Sequence, residues 1–134
     1  MKNIYDNTHF KINHCSDVFD FTIDTLPLSA PFDTSFAILT AHNPKNTSLS
    51  QTLNDKRNGE LFSTLMETNY GIDSALGYLD DHSEESYCIY GIGFGEAMTI
   101  ARDYDQYTFF YADQHRAGYY ESSSGEPVTQ RLIR

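Results

Sequence analysis

Two runs in this 134-residue chain, FAILTAH (36–42) and SYCIYGIG (86–93), are almost continuously apolar. A strand of that kind must be covered on both faces, so each belongs in the middle of a sheet. Asn43-Pro44 ends the first run, because proline biases the preceding residue toward extended geometry and cannot continue a ladder. Ser48 or Ser50 can then cap a helix reaching to about Thr68, with Leu61, Phe62, Leu65 and Met66 as its apolar stripe. Asn54 and Asn58 fall along the same stripe, and Arg57 sits at its border. IDSALGYLDD (72–81) reads as an edge strand with Gly77 as a kink or bulge. After the second apolar run, FGEAMTIARDY places Phe94, Ala97, Met98 and Ala101 on one helical face. YTFFYA follows as another strand, and AGYYES hairpins back to it through DQHR.

The order from residue 36 is therefore β-α-β-β-α-β, the split, ferredoxin-like order of an α+β sandwich, whose first and third strands are central. The two continuously apolar runs occupy those places. Upstream, residues 4–14 alternate loosely, with Tyr5, Phe10 and Ile12 sharing a face. Phe19, Phe21 and Ile23 alternate strictly. These read as two extra N-terminal strands, and AGYYES as a C-terminal hairpin. Residues 121–134 read as a loosely held tail, polar and then mildly strand-like.

The length fits one domain spanning 1–134, which by size scaling buries about 65–70% of its unfolded surface. Ten tyrosines and nine phenylalanines supply a core without staples, and the two cysteines, Cys15 and Cys88, show no disulfide framework. Cys88 lies in an apolar run, where inert burial is the expected fate. No leader-type or membrane-spanning apolar run is present, which predicts a cytoplasmic protein with no membrane partner. The formal charge of −10 disfavours direct nucleic-acid binding, which needs clustered lysine and arginine. It suits solubility or a basic partner.

Strand direction in such a sheet brings several chain ends to one rim: the end of 36–42, the start of the first helix, and the starts of 86–92 and 107–112. Asn43, Asn54, Arg57, Glu85 and Gln106 then converge, with His42 beside them. A guanidinium, a carboxylate and three amides can satisfy one another, as an Arg57–Glu85 ion pair with amides on the loop backbone. They can equally grip a small polar or anionic ligand, or a protein segment, with the helix N-terminus favouring an anion.

The same residues resemble a known family, the bacterial domain of unknown function numbered three-two-nine-three. The resemblance rests on Thr40-Ala41-His42-Asn43-Pro44, Asn54 with Arg57, Glu85-Ser86-Tyr87, Gly91, Glu96-Ala97 and Tyr104-Asp105-Gln106. It spans roughly residues 5–112. His42 stands where an aromatic is commoner, and Asp105 where glycine is usual. The resemblance carries no established activity; it implies that the polar set belongs together.

No other motif supplies a cofactor or metal. GIGFGEA matches neither the dinucleotide fingerprint nor the phosphate-loop pattern, so its glycines read as tight-turn residues. The five histidines form no ligand array, and Asp80-Asp81-His82 and Asp113-x-His115 read as solvated turns. Three functions remain open to the sequence. The first is a non-catalytic module binding at the Asn43/Arg57/Glu85 rim. The second is an acidic interaction protein, such as an inhibitor that occupies a basic nucleic-acid groove as small phage anti-defence proteins do. The third is an enzyme using His42 as general base with Glu85 orienting it.

Overall fold

Alternation along the chain sorts side chains into two separate cores, one on each face of a single sheet. The computed structural model describes residues 4–133. Its elements are α1 (Ile4–Asn7), β1 (His9–His14), β2 (Asp17–Phe21), β3 (Phe36–Leu39), a 3-10 turn (Pro44–Asn46), α2 (Gln51–Met66), β4 (Gly71–Leu79), β5 (His82–Tyr90), α3 (Phe94–Asp103), β6 (Thr108–Ala112), β7 (Arg116–Glu121) and β8 (Pro127–Leu132). The fold is α+β. All eight strands form one antiparallel sheet in the order β2-β1-β4-β5-β3-β6-β7-β8, curled into a half-barrel.

Ring contacts reveal the curl. Phe10 on β1 and Tyr119 on β7 are five places apart in the sheet, yet their ring centroids are 6.0 Å apart. At about 4.8 Å per strand a flat sheet would hold them roughly 24 Å apart. The concave side is therefore strongly curved and filled by Phe10, Ile12, Phe21, Phe36, Ile38, Phe110 and Tyr119, with Leu26 and Phe32 inserted from the β2–β3 loop. The convex side carries α2 and α3, whose Leu61, Leu65, Ala97, Ile100 and Ala101 pack on Ala37, Leu39, Ile89 and Phe109. All four residues of β3 are buried, as a run without polar alternation requires. Among the described residues, no helix is long and apolar enough to cross a membrane.

Several expectations are corrected. The segment expected at a sheet edge, β4, lies inside the sheet and pairs with β1 and β5. Its register runs unbroken from Gly71 to Leu79, without a bulge at Gly77; that glycine leaves room for the Phe10 ring, 3.4 Å from where a Cβ would sit. Ile4–Asn7 forms a helical turn instead of the start of a strand, and β2 ends at Phe21, leaving the buried Ile23 in the following loop. The buried stripe of α2 is Asn54, Asn58, Leu61 and Leu65, whereas Phe62 and Met66 are exposed. In the tail read as polar and then mildly strand-like, Pro127–Leu132 forms β8 and pairs with β7; Arg134 lies outside the described residues.

The β7–β8 pairing depends on Gly118. A Cβ there would sit 2.3 Å from the Thr129 carbonyl oxygen and 2.8 Å from the Gln130 Cα, both backbone atoms that cannot swing aside. Gly118→Ala is expected to push β8 off the sheet, with a loss of about 2–4 kcal/mol. Amide exchange should then quicken across 127–132 while β3 and β5 stay protected. Unchanged exchange at β8 would refute the close approach.

Candidate functional site

β3 ends at Leu39, but two residues on, past the half-buried Thr40, Ala41 is fully buried. Its peptide groups have no neighbouring strand to pair with, so side chains must take that role. Asn58, itself buried on α2, accepts from the Ala41 amide at 2.8 Å and donates to the Glu85 carbonyl at 3.0 Å. Thr40 Oγ1 also donates to that carbonyl (2.7 Å) and accepts from the His42 amide (3.0 Å). Arg57 Nε donates to the Ala41 carbonyl at 2.8 Å, and its Nη2 donates to the Tyr104 carbonyl at 2.6 Å.

One turn earlier on α2, Asn54 does the same for the loop. Its Oδ1 accepts from the Asn43 amide (2.8 Å), while its Nδ2 donates to Asn43 Oδ1 (2.9 Å). Asn43 Oδ1 in turn accepts from the Leu49 amide at 2.9 Å, and Ser50 caps the helix by accepting from the Leu53 amide. Gln106, just after α3, donates to the His42 carbonyl at 3.0 Å. The polar set therefore fastens the end of β3 to α2, to β5 and to the α3–β6 loop.

Five of the six residues singled out in the sequence thus meet: His42, Asn43, Asn54, Arg57 and Gln106. Glu85 joins through its backbone only. The expected Arg57–Glu85 ion pair does not form; the carboxylate facing Arg57 is Asp105, at 3.8 Å. Glu85 is exposed, and its carboxylate makes no hydrogen bond to His42 among the described residues. His42 Nε2 lies 3.4 Å from Asn54 Nδ2 instead. Cys88 is wholly buried, and burial pushes its thiol pKa up, which suits packing and not nucleophilic attack. Among the described residues, no group of three or more His, Cys, Asp or Glu side chains could hold a metal.

The backbone around this set is strained. Asn43, Lys45 and Asn46 adopt φ of 46°, 51° and 58°, and Asp105 adopts 60°. Left-handed geometry costs an ordinary L-residue roughly 1–2 kcal/mol and glycine almost nothing. The two strained loops are joined directly, since the Lys45 amide donates to the Asp105 carbonyl at 2.6 Å. Beside the junction lies a depression of about 230 Å³, lined by Lys45, Arg102, Asp105, Gln106, Tyr107, Ser122 and Ser123. Sequence reading did not find Lys45, Arg102 or Ser123. Asn58 carried a signal, being four residues from Asn54 on the buried stripe. Ser122 and Ser123 carried none, because only the β6–β7 pairing brings them there.

These contacts separate backbone from side-chain roles. Asn58→Ala leaves a buried amide and a carbonyl without partners and should cost about 2–3 kcal/mol; Arg57→Ala should cost about as much. Glu85→Ala should change stability by no more than about 0.5 kcal/mol, since only its carbonyl is used. Urea denaturation of the three variants checks this, and a Glu85→Ala loss as large as the others would contradict the geometry. Thiol labelling of the folded protein should modify the exposed Cys15 alone, with Cys88 reacting only after denaturation.

Neither a curated protein nor a solved structure matched the chain. A protein family did, over residues 39–109, a narrower span than the 5–112 expected from the motifs. That span runs from the last residue of β3 into β6 and contains every residue fastening β3, α2, β5 and the α3–β6 loop. It is just over half of the 134 residues. The chain belongs to the family described as Protein of unknown function (DUF3293).

Proposed function

We infer that this protein is a non-catalytic binding module whose ligand is a small molecule carrying a phosphate or carboxylate. The ligand seats in the depression beside the Lys45–Asp105 junction. One observation carries the reading: in a chain of net charge −10, this depression gathers two cations, Lys45 and Arg102, against a single lining carboxylate, Asp105. An anion meets a local reversal of the protein's field there. Of the residues first suspected as ligand-binding, Gln106 lines the depression, while His42, Asn43, Asn54 and Arg57 lie behind it and take part in the hydrogen bonds that hold its loops in left-handed conformations. Such strain is a feature of sites where geometry matters more than local stability. The ferredoxin-like reading of residues 36–112 goes with this proposal. It is supported by the order β4-β5-β3-β6, with β3 and β5 central and a helix after β3 and after β5.

The test is thermal denaturation against inorganic phosphate, phosphoserine, citrate and a neutral sugar. Saturable stabilisation by one of the anions is expected, and it should vanish in the Lys45→Gln/Arg102→Gln double variant. Both side chains lie outside the fastening contacts of the Ala41 turn, so the variant should fold. No saturable shift with any anion, or a shift that survives the double variant, would remove this reading.

A further inference from the structure

At the other end of the sheet, the β2–β3 loop and the β6–β7 turn enclose a groove of about 420 Å³. Its floor is apolar. Leu28 is 56% exposed, and beside it lie Phe32 and Ile133. Phe32 is locked by edge contacts with the rings of Phe19, Phe21, Phe36 and Tyr90, so the floor exists before anything binds. The rim carries Asp33 and Asp113, and a shallower depression of about 310 Å³ continues between them past Ser35 and His115. Among the described residues, neither carboxylate lies within ion-pair distance of a basic side chain. Asp113 Oδ1 accepts from the amides of His115 and Arg116, which fixes the turn, while its Oδ2 takes no hydrogen bond among the described residues.

We propose that this groove is the docking surface for a segment of a partner protein that presents an arginine beside a leucine-like side chain. The guanidinium meets Asp33 and Asp113, and the apolar neighbour covers Leu28. Charge complementarity selects this occupant. The net charge of −10 attracts a basic segment and repels a second copy of this chain. The apolar floor gives a bare cation little reason to stay, whereas a segment pairing charge with apolar surface satisfies both parts of the groove.

Amide NMR of the full chain tests this with an acetylated, amidated Gly-Leu-Arg-Leu-Gly peptide. Saturable shifts are expected at Thr34, Gln114 and His115, on residues well away from Lys45 and Arg102. Replacing arginine with citrulline, or the protein's Asp33 and Asp113 with asparagine, should each raise the Kd about tenfold. Asparagine keeps the Oδ1 acceptor that Asp113 supplies to its turn, and Leu28→Ser, at an exposed position, should weaken binding independently of charge. Absence of shifts, equal binding of the citrulline peptide, or indifference to the asparagine substitutions would overturn the proposal. So would equally tight binding by argininamide alone, which would make the groove a site for small cations.

Discussion

Ala41 is fully buried two residues beyond the end of a central strand, and neither of its peptide groups has a strand to meet. The rest of the molecule's organisation follows from how that is resolved. Asn58 and Arg57, adjacent on α2, take the amide and the carbonyl. Because both reach from one helical turn, they fix the height and rotation of α2 over the sheet. The same two side chains also reach Glu85 on β5 and Tyr104 after α3, so one pair of residues ties four elements together. An unpaired buried amide or carbonyl costs about 1–3 kcal/mol, a large share of a small domain's stability. That cost explains why α2 places asparagines where a helix packed on a sheet ordinarily places leucine.

With the turn held from below, its backbone can adopt conformations it would not choose alone. Of the six non-glycine residues with positive φ among the described residues, four lie in the two loops joined at Lys45 and Asp105. Asparagine and aspartate tolerate the left-handed region better than most residues, and three of the four are of those types. Lys45 is the exception, and it lines the depression. Strain, basic charge and a concavity thus coincide at the end of the sheet where β3 leaves and β6 enters.

The opposite end has the reverse character. There Asp33 and Asp113 flank an apolar floor built from the long β2–β3 loop, which also plugs the open side of the half-barrel. Antiparallel pairing of β3 with β6 accounts for the separation: Phe36 pairs with Ala112, so the residues just before β3 and just after β6 share a pole. Charge that looks evenly acidic in the composition is distributed by topology into two chemically distinct surfaces.

Much of this could be read from residue order. Continuous apolar runs named the two central strands, Pro44 named the end of the first, and the helix and strand periods gave the order of elements. The convergence of Asn43, Asn54, Arg57 and Gln106 followed from strand direction alone. What could not be read was the partner of each group. Sequence shows side chains, and here one half of most key contacts is a backbone carbonyl or amide, as with Glu85, Ala41 and Tyr104. The curl of the sheet was equally hidden, since it brings Phe10 to Tyr119 across strands that share no local pattern. The placement of β8 depends on the small volume of Gly118, which matters only once a second strand lies against it, and that of Ser122 and Ser123 on the β6–β7 pairing. The sequence by itself determined the two central strands, the two long helices and the polar side chains that gather where β3 ends, because periodicity and chain direction are local properties. Only tertiary structure decided that Glu85 offers its carbonyl, that Asp105 faces Arg57, and that two depressions of opposite charge sit at opposite poles, because those depend on distances between segments far apart in the chain.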